Sequence, residues 1–577
     1  MKFQKSLLYF FCAFVGFLLF AKGQYFPLAP QGDSLFKQKI VLNERSEKAN
    51  IHFTHKNDFF LSERFIEASK KILPFYNSIS ASVSVVDINN DGWQDFFVPS
   101  PSPNSKSHLY INQKDGTFVE KAVEYGLAQL SSPVRAGFFD CDNDGTQEIL
   151  LTSYKCPSLY QNRGGKYQRI FKFPEPCTFA MGFNILDYDK DGLLDIAIAP
   201  FSRTLPNSWH SASNGPGGLM LYKNMGHCKF EADTNHLREP AKHYTHAIGV
   251  ADLRNLNRQD LWAATDFNRD RIFFQNEDGG YSQAQEVLKK PKAHNGMSVS
   301  AAYVTNQKYP SIYISQVYEP GYSIFGNQLW TFDGQQFVDS AKERKINNCG
   351  WSWGSKFSDI NNDGLVDLVV ANGFISTTTG INYWDKIGRF IFASKRYLNN
   401  PWNWMSFEGA SWSGHQRDCI FMNQGADFVN IAEQIHFDED LRDGRGLATI
   451  DTLNNGKVGF IVANQRQKLS YYQNETESGN NWIGLKLIGT TSNRDAIGAS
   501  VEAELSNGER KKYSHYPFNG YSAQSDSRIH IGLGKNNLKS IRVKWPHGLN
   551  ELYTHLKMNQ YNTLIESKGK LIETLSY

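Results

Sequence analysis

Polar and apolar residues alternate along this chain in a fixed, recurring order. Nine residues rich in Asp, Asn and Gly lead into a short apolar run. Asp87-Ile-Asn89-Asn-Asp91-Gly92-Trp-Gln-Asp95 precedes Phe96-Phe97-Val98, and Asp140-Cys-Asp142-Asn-Asp144-Gly145-Thr-Gln-Glu148 precedes Ile149-Leu150-Leu151. Asp187-Tyr-Asp189-Lys-Asp191-Gly192-Leu-Leu-Asp195 precedes Ile196-Ala197-Ile198, and Asp359-Ile-Asn361-Asn-Asp363-Gly364-Leu-Val-Asp367 precedes Leu368-Val369-Val370. Each unit then closes on a strand ending in Tyr/Phe-x-Asn, as in Leu109-Tyr110-Ile-Asn112, Leu221-Tyr222-Lys-Asn224 and Ile420-Phe421-Met-Asn423.

Three weaker copies fill the gaps. Asp252 to Asp260 has Arg254 and Leu256 at its third and fifth positions, Ala302 to Pro310 keeps almost none of the polar set, and Asp451 retains Asn455 and Gly456. The seven starts are 87, 140, 187, 252, 302, 359 and 451. Fixed-period units of roughly 50 residues with several short strands have the size of four-stranded blades. The pattern therefore predicts an all-β fold, a seven-bladed β-propeller over residues 48–476, with an insertion at about 374–418 in the long last interval. From 480 to 570 the alternation changes character. Trp482-Ile-Gly-Leu485-Lys-Leu487 and Ile541-Arg-Val543-Lys-Trp545 read as half-buried antiparallel strands of a small second β-domain.

The N-terminus adds a destination. Lys2 and Lys5, an apolar run from Ser6 to Ala21, and Ala21-Lys22-Gly23 compose a secretory signal over 1–23, followed by a linker over 24–47. The expected mature chain has no transmembrane span and is secreted, periplasmic or held at the cell surface. The 61 basic and 58 acidic residues nearly balance, which removes the electrostatic case for nucleic acid. Outside the signal lie six cysteines with no CxxC pair, so disulfides are expected rather than a zinc site, with Cys156–Cys177 the first pairing to test.

The nine-residue loops carry the chemistry. Calcium takes six to eight oxygen ligands. Carboxylate or amide oxygens at alternate positions of a tight loop supply them, and the Gly permits the sharp turn. The candidate ligands are Asp87, Asn89, Asp91 and Asp95; Asp140, Asp142, Asp144 and Glu148; Asp187, Asp189, Asp191 and Asp195; and Asp359, Asn361, Asp363 and Asp367. About four calcium ions are expected, one per full loop. In the copy at 252, Arg254 is expected to replace the ion with its own charge.

These repeats resemble FG-GAP/VCBS repeats such as those of the integrin alpha propeller, with Gly354-x-x-Phe357-x-Asp359 and Gly137-Phe138-Phe139-Asp140 in the matching frame. The C-terminal stretch resembles the UnbV/ASPIC domain through Asn493-Arg494-Asp495-Ala496-Ile497-Gly498-Ala499, Gly520-Tyr521-Ser522-Ala523-Gln524, Arg528-x-His530-x-Gly532-Leu533-Gly534 and Val543-Lys544-Trp545-Pro546-x-Gly548. The combination is similar to the cartilage acidic protein family. The resemblance implies a calcium-stabilised extracellular propeller linked to binding or adhesion, and it implies no reaction.

Three further features remain open. The C-terminal motifs serve either as turns and core or as a ligand groove. The insertion holds Trp384, Trp402, Trp404 and Trp412, which either stack on a sugar or aromatic ligand or pack on the propeller. Just before each unit's first strand, a register of His52, His55, Arg135, Cys177, His246, His294, Cys349 and Arg445 is expected to approach the axis. Imidazole and thiolate there would suit a transition metal, with His52, His55, His246, His294, Cys177 and Cys349 as ligands and Arg445, Trp402 and Trp404 as ligand contacts. The leading expectation is a monomeric calcium-binding scaffold for an extracellular protein or glycan, not an enzyme. The alternative is an exported metalloenzyme acting on a small molecule or peptide. The chain also carries a glycosylation sequon at Asn474-Glu475-Thr476.

Overall fold

Val83–Val86 pairs antiparallel with Asp95–Val98, which pairs with His108–Asn112, which pairs with Phe118–Glu120. The Asp-rich loop is thus the turn between the first and second strands of a four-stranded meander. The computed structural model describes residues 36, 38–57, 74, 77–154, 156–173, 179–202, 218–237, 239, 243–266, 269–289, 295–305, 307–320, 323–386, 405–407 and 409–572. Among them the same plan recurs in seven sheets, whose first strands are Val83–Val86, Pro133–Phe139, Phe179–Leu186, Tyr244–Ala251, Val299–Ala302, Ser352–Ser358 and Gly444–Ile450. Each first strand lies against the next in the series, and Gly444–Ile450 lies against Val83–Val86, so the sheets form a ring. The fold is the all-β propeller that the repeat predicts.

Because neighbouring sheets pack face to face, the inner strands are buried on both sides. Pro133–Phe139 and Tyr244–Ala251 are buried at every position. The last sheet borrows its outermost strand: Leu42–Glu44, in the segment read as linker, pairs antiparallel with Ser470–Asn474. The two ends of the propeller are thereby joined by backbone hydrogen bonds. Asn474 of the sequon is buried in this sheet and donates to the carbonyls of Ile360 and Val458, so it is not a surface acceptor for a glycan.

The C-terminal domain holds two sheets. Asn481–Ile488 lies between Ile529–Gly534 and Tyr561–Ile565. The other sheet runs in the order Arg510–Ser514, Ser500–Leu505, Leu538–Lys544, Asn550–Tyr553 and Lys570–Leu571. Their shared core includes Ile483, Leu485, Val501, Ile531, Val543 and Trp545. The domain does not stand apart. Ala523–Gln524 pairs parallel with Val83–Val86 and adds a fifth strand on the axial side of the first blade.

Two disulfides join Cys141 to Cys228 and Cys349 to Cys419. Cys156 is also disulfide-bonded, and its expected partner Cys177 lies outside the described residues, as does the expected signal. No helix among the described residues is long and apolar enough to cross a membrane.

Candidate cation sites and the domain that covers them

Each full loop is organised by its first carboxylate. Asp87 accepts the backbone N–H groups of Asp91 and Gly92 at 2.9 and 3.0 Å, Asp140 those of Asp144 and Gly145 at 3.0 and 2.7 Å, and Asp359 those of Asp363 and Gly364 at 3.1 and 2.8 Å. Asp187 accepts from Gly192 at 3.2 Å. The turn needs a left-handed residue at position six, where Gly92, Gly145, Gly192 and Gly364 have φ of 84°, 91°, 86° and 87°, a conformation free of steric penalty only for glycine.

The ninth carboxylate explains the Tyr/Phe-x-Asn mark. Asp95 accepts from the backbone of Ile88 and of Asn112 at 3.1 and 2.8 Å, Asp195 from Tyr188 and Asn224 at 3.3 and 2.8 Å, and Asp367 from Ile360 and Asn423 at 3.0 and 2.8 Å. The side-chain amides of those asparagines then reach a neighbouring blade, at the carbonyls of Thr452, Cys141 and Val304. The motif is visible in the sequence, but its role as a staple between blades was not anticipated.

A second set of ties links loop to loop. Asn90, Asn143, Asn362 and Asn454 adopt left-handed backbone, which Asn tolerates better than most residues. Their side-chain amides donate to the carbonyls of Gly145, Gly192, Gly456 and Gly92 at 3.2, 2.9, 3.1 and 3.0 Å. Five loops are thus chained in the order 359, 451, 87, 140 and 187.

Burial crowds these acids together. It pushes Asp95, Asp140 and Asp187 up to about 7 and Glu148 and Asp359 up to about 8, neighbouring carboxylates adding to the effect; Asp195 and Asp367 are raised well above the usual range. The ligand oxygens of Asp140, Asp142 and Glu148 lie within 4.8 Å of one another, as do those of Asp187, Asp189 and Asp195. In the second loop, Asp142 Oδ1 and Glu148 Oε1 are buried without any hydrogen-bond partner. An all-oxygen donor set with orphaned carboxylate oxygens fits a hard cation such as calcium.

The loops are not equivalent. Lys223 Nζ bonds Asp189 and lies 3.3 Å from Asp191. Lys114 Nζ lies 3.1 Å from Asp91, and Asn361 donates to Asp363 at 2.9 Å. In the copy at 252, Arg254 pairs with Asp260 at 2.8 Å and also donates to the Gln275 carbonyl, which places a guanidinium beside the ninth carboxylate as the sequence suggests. Asp451 accepts from the Tyr561 hydroxyl at 2.9 Å.

The C-terminal domain lies on this loop face, and its sharpest motifs engage the loops. The Arg494 backbone donates to Asn143 Oδ1 at 2.8 Å, Arg528 donates to Asn454 Oδ1 at 2.6 Å, and His530 Nε2 lies 2.5 Å from Asn362 Oδ1. Lys511 donates to the Gly364 carbonyl at 2.6 Å, and Lys486 Nζ lies 3.7 Å from Asp87. Asp140 donates its backbone N–H to Asp495 at 2.9 Å.

Arg135, Arg445 and His246 of the axial register are engaged by protein groups. Arg135 donates to the carbonyls of Phe183, Phe518 and Ala523 at 3.0, 3.0 and 3.2 Å and stacks on Phe183. Arg445 is fully buried, donates to the carbonyls of Ser78, Gly373 and Phe374, and stacks on Trp353 4.1 Å from the ring centre; it is therefore a structural cation and not a ligand contact. His246 packs against Phe201, Trp353 and Tyr521, with Nε2 3.5 Å from Asp266. His55 is buried, accepting from the Arg466 backbone, and His52 is exposed. Cys349 is bonded to Cys419 and offers no thiolate, which corrects its place in the axial set. Among the described residues, no histidine belongs to a three-ligand cluster. Cys177, His294, Trp402 and Trp404 lie outside the described residues.

The described tryptophans of the insertion pack inward. Trp412 is buried against Trp351, Phe374, Tyr383 and Phe407, and Trp384 donates to Ser413 at 2.7 Å.

Fold and motifs together define a propeller of FG-GAP-like repeats followed by an ASPIC and UnbV domain. Residues 87–151 match the FG-GAP-like repeat, and residues 489–571 match the ASPIC and UnbV family. The chain is also similar to Cartilage acidic protein 1 of Xenopus tropicalis, 23% identical over 465 residues that span 71% of this chain and 69% of that one. Solved structures give looser likenesses. The BBS1N chain in its complex with ARL6DN superposes with a TM-score of 0.39 at 8% identity, covering 70% of this chain and 94% of that one. An Agrocybe aegerita lectin that recognises non-reducing terminal N-acetylglucosamine gives 0.36 at 12% identity, covering 61% and 79%. Neither carries an argument about function.

Proposed function

We propose that this protein is an exported, calcium-loaded binding propeller that captures a protein or glycan on the face opposite its Asp loops. The observation that carries the calcium reading is the second loop, where two buried carboxylate oxygens have no partner inside a three-carboxylate cluster. Asp140, Asp142, Asp144 and Glu148 would hold the ion there, with Asp87, Asn89, Asp91 and Asp95 and with Asp359, Asn361, Asp363 and Asp367 as the corresponding sets in the first and fourth loops. The third loop, with Asp187, Asp189 and Asp195, carries Lys223 as an internal competitor. A bound cation would supply charge balance to acids that burial otherwise keeps protonated, and so stiffen each blade turn.

Coverage supports this position for the partner. The C-terminal domain lies against the loop face and sends Ala523–Gln524 into the axis, so the far face is the one this domain does not cover. Connections between second and third strands leave the sheets on that far face. Two of them touch through Ser413 and Glu319 at 3.0 Å. These same connections carry Ile324, Phe325, Ile381 and Met405, all with large apolar side chains 40–64% exposed. Exposed apolar side chains gathered on one face mark interaction surfaces.

Elemental analysis of mature protein purified without chelators or a metal-affinity tag tests the first half, with calcium and no stoichiometric transition metal expected. Glycan and protein partner screens with wild type and with an Ile324→Ser/Phe325→Ser variant test the second, with binding lost in the variant. One copper, iron or zinc per chain in place of calcium would overturn the reading.

A further inference from the structure

The second loop differs from the other three in its ninth residue and in carrying a disulfide. Its ninth position is Glu148 where the others have Asp95, Asp195 and Asp367. Those aspartates use both oxygens to accept backbone N–H groups. Glu148 is fully buried and satisfies only Oε2, at 3.0 Å from the Cys141 backbone N–H, while Oε1 is free. The same Oε2 lies 3.1 Å from Cys141 Sγ and 3.7 Å from Cys228 Sγ, the two sulfurs of a disulfide. Cys141 is the residue between the candidate ligands Asp140 and Asp142. Cys228 belongs to the turn after Met220–Asn224 in the adjacent blade.

We infer that the Cys141–Cys228 disulfide is a positioning element of the second loop's calcium site, and that breaking it weakens calcium there and nowhere else. This rests on the calcium reading above. The bridge forms the back wall against which the Glu148 carboxylate lies, so Oε1 points free beside Asp140 and Asp142. Reduction by a dithiol balances as a two-electron exchange: the S–S bond breaks, both cysteines take up a proton, and the dithiol closes into its own cyclic disulfide. The two sulfurs must then separate to van der Waals distance in a site with no spare room, since Cys141 and Cys228 are at most 2% exposed. The carboxylate in contact with both must shift. Groups that hold a metal ligand in place change affinity by roughly 10-fold to 100-fold when removed.

Calcium titration of the full chain by calorimetry tests this. For Cys141→Ser/Cys228→Ser, one site should weaken by that factor while the remaining sites keep their affinity. Cys349→Ala/Cys419→Ala, which removes a disulfide remote from the loops, should leave every site unchanged. A second measurement needs no variant. Binding couplings are reciprocal, so calcium should raise the dithiothreitol concentration needed to open Cys141–Cys228, read by thiol labelling and peptide mapping, without affecting Cys349–Cys419. Unchanged calcium affinity in the folded serine variant, or reduction of Cys141–Cys228 that ignores calcium, would overturn the inference while leaving the calcium reading intact. A wild-type chain that takes up no calcium overturns both.

Discussion

The phenol of Tyr521 donates to the carbonyl of Ile79 across 2.6 Å, from the C-terminal domain into the axis of the ring. Its ring is fully buried beside Trp353 and His246. The C-terminal domain is therefore a structural part of the propeller. Removing the hydroxyl strands a buried carbonyl, and Tyr521→Phe should cost about 1–2 kcal/mol. Tyr521→Ala also opens a cavity and should cost about 3–5 kcal/mol. Chemical denaturation should show one transition for both domains in the wild type. Two separable transitions, or a neutral Tyr521→Ala, would contradict this coupling.

Arg254 makes a different forecast. Its guanidinium faces Asp260, whose side chain is fully buried, and stacks 4.2 Å from the Phe274 ring centre. Breaking a buried pair from one side leaves an uncompensated charge, so Arg254→Ala should destabilise by about 3 kcal/mol. Arg254→Asp restores an acidic third position. Its melting temperature should become calcium-dependent beyond that of the wild type, as a differential scan with calcium against chelator would show.

What the sequence reveals and what it hides separate by distance along the chain. The loops were legible because their bonds close within nine residues: Asp87 to Gly92 and Asp95 to Ile88 are local contacts repeated in register. Arg254 was legible for the same reason, six residues from Asp260. The packing of the axis was not legible because its contacts are remote. Arg135 meets Ala523 and Arg445 meets Ser78 only once the ring has closed, and no local pattern shows that the C-terminal motif reaches the axis. Cys141 and Cys228 are 87 residues apart, and their pairing depends on which blades are neighbours. Lys223 is one of many surface-type lysines until folding sets it against Asp189.

Acid should act on the fold through His55. Burial, aided by the charges of Arg445 and Arg466, pushes its pKa down to about 3. The folded chain keeps this ring neutral, whereas the unfolded chain protonates it below about 6.5. The stability it contributes is complete above that value and drains away as pH falls toward about 3, amounting to roughly 2–3 kcal/mol by pH 4.5. Buried carboxylates with raised values work in the opposite sense over the same range. The test is therefore a difference: the gap in unfolding free energy between pH 7 and pH 4.5 should move by that amount in favour of the low pH when His55→Phe replaces wild type.

Calcium binding should release protons near neutrality. Without the cation, Asp95, Asp140 and Asp187 hold protons up to about pH 7, and Glu148 and Asp359 up to about pH 8. A carboxyl raised in this way favours the cation-free fold at low pH, and that advantage is lost as pH rises through 7 to 8. Ligands must be deprotonated to bind a metal, so the ion displaces these protons. Apparent calcium affinity should therefore climb with pH from about 6 to 8 and level off above about 9, where the loops are already ionised. Calorimetric titration at pH 7 in two buffers of different ionisation enthalpy reads the proton count directly. A heat that depends on the buffer is expected, and shrinks when Glu148 is changed to Gln; equal heats in both buffers would mean the acids are ionised before the cation arrives.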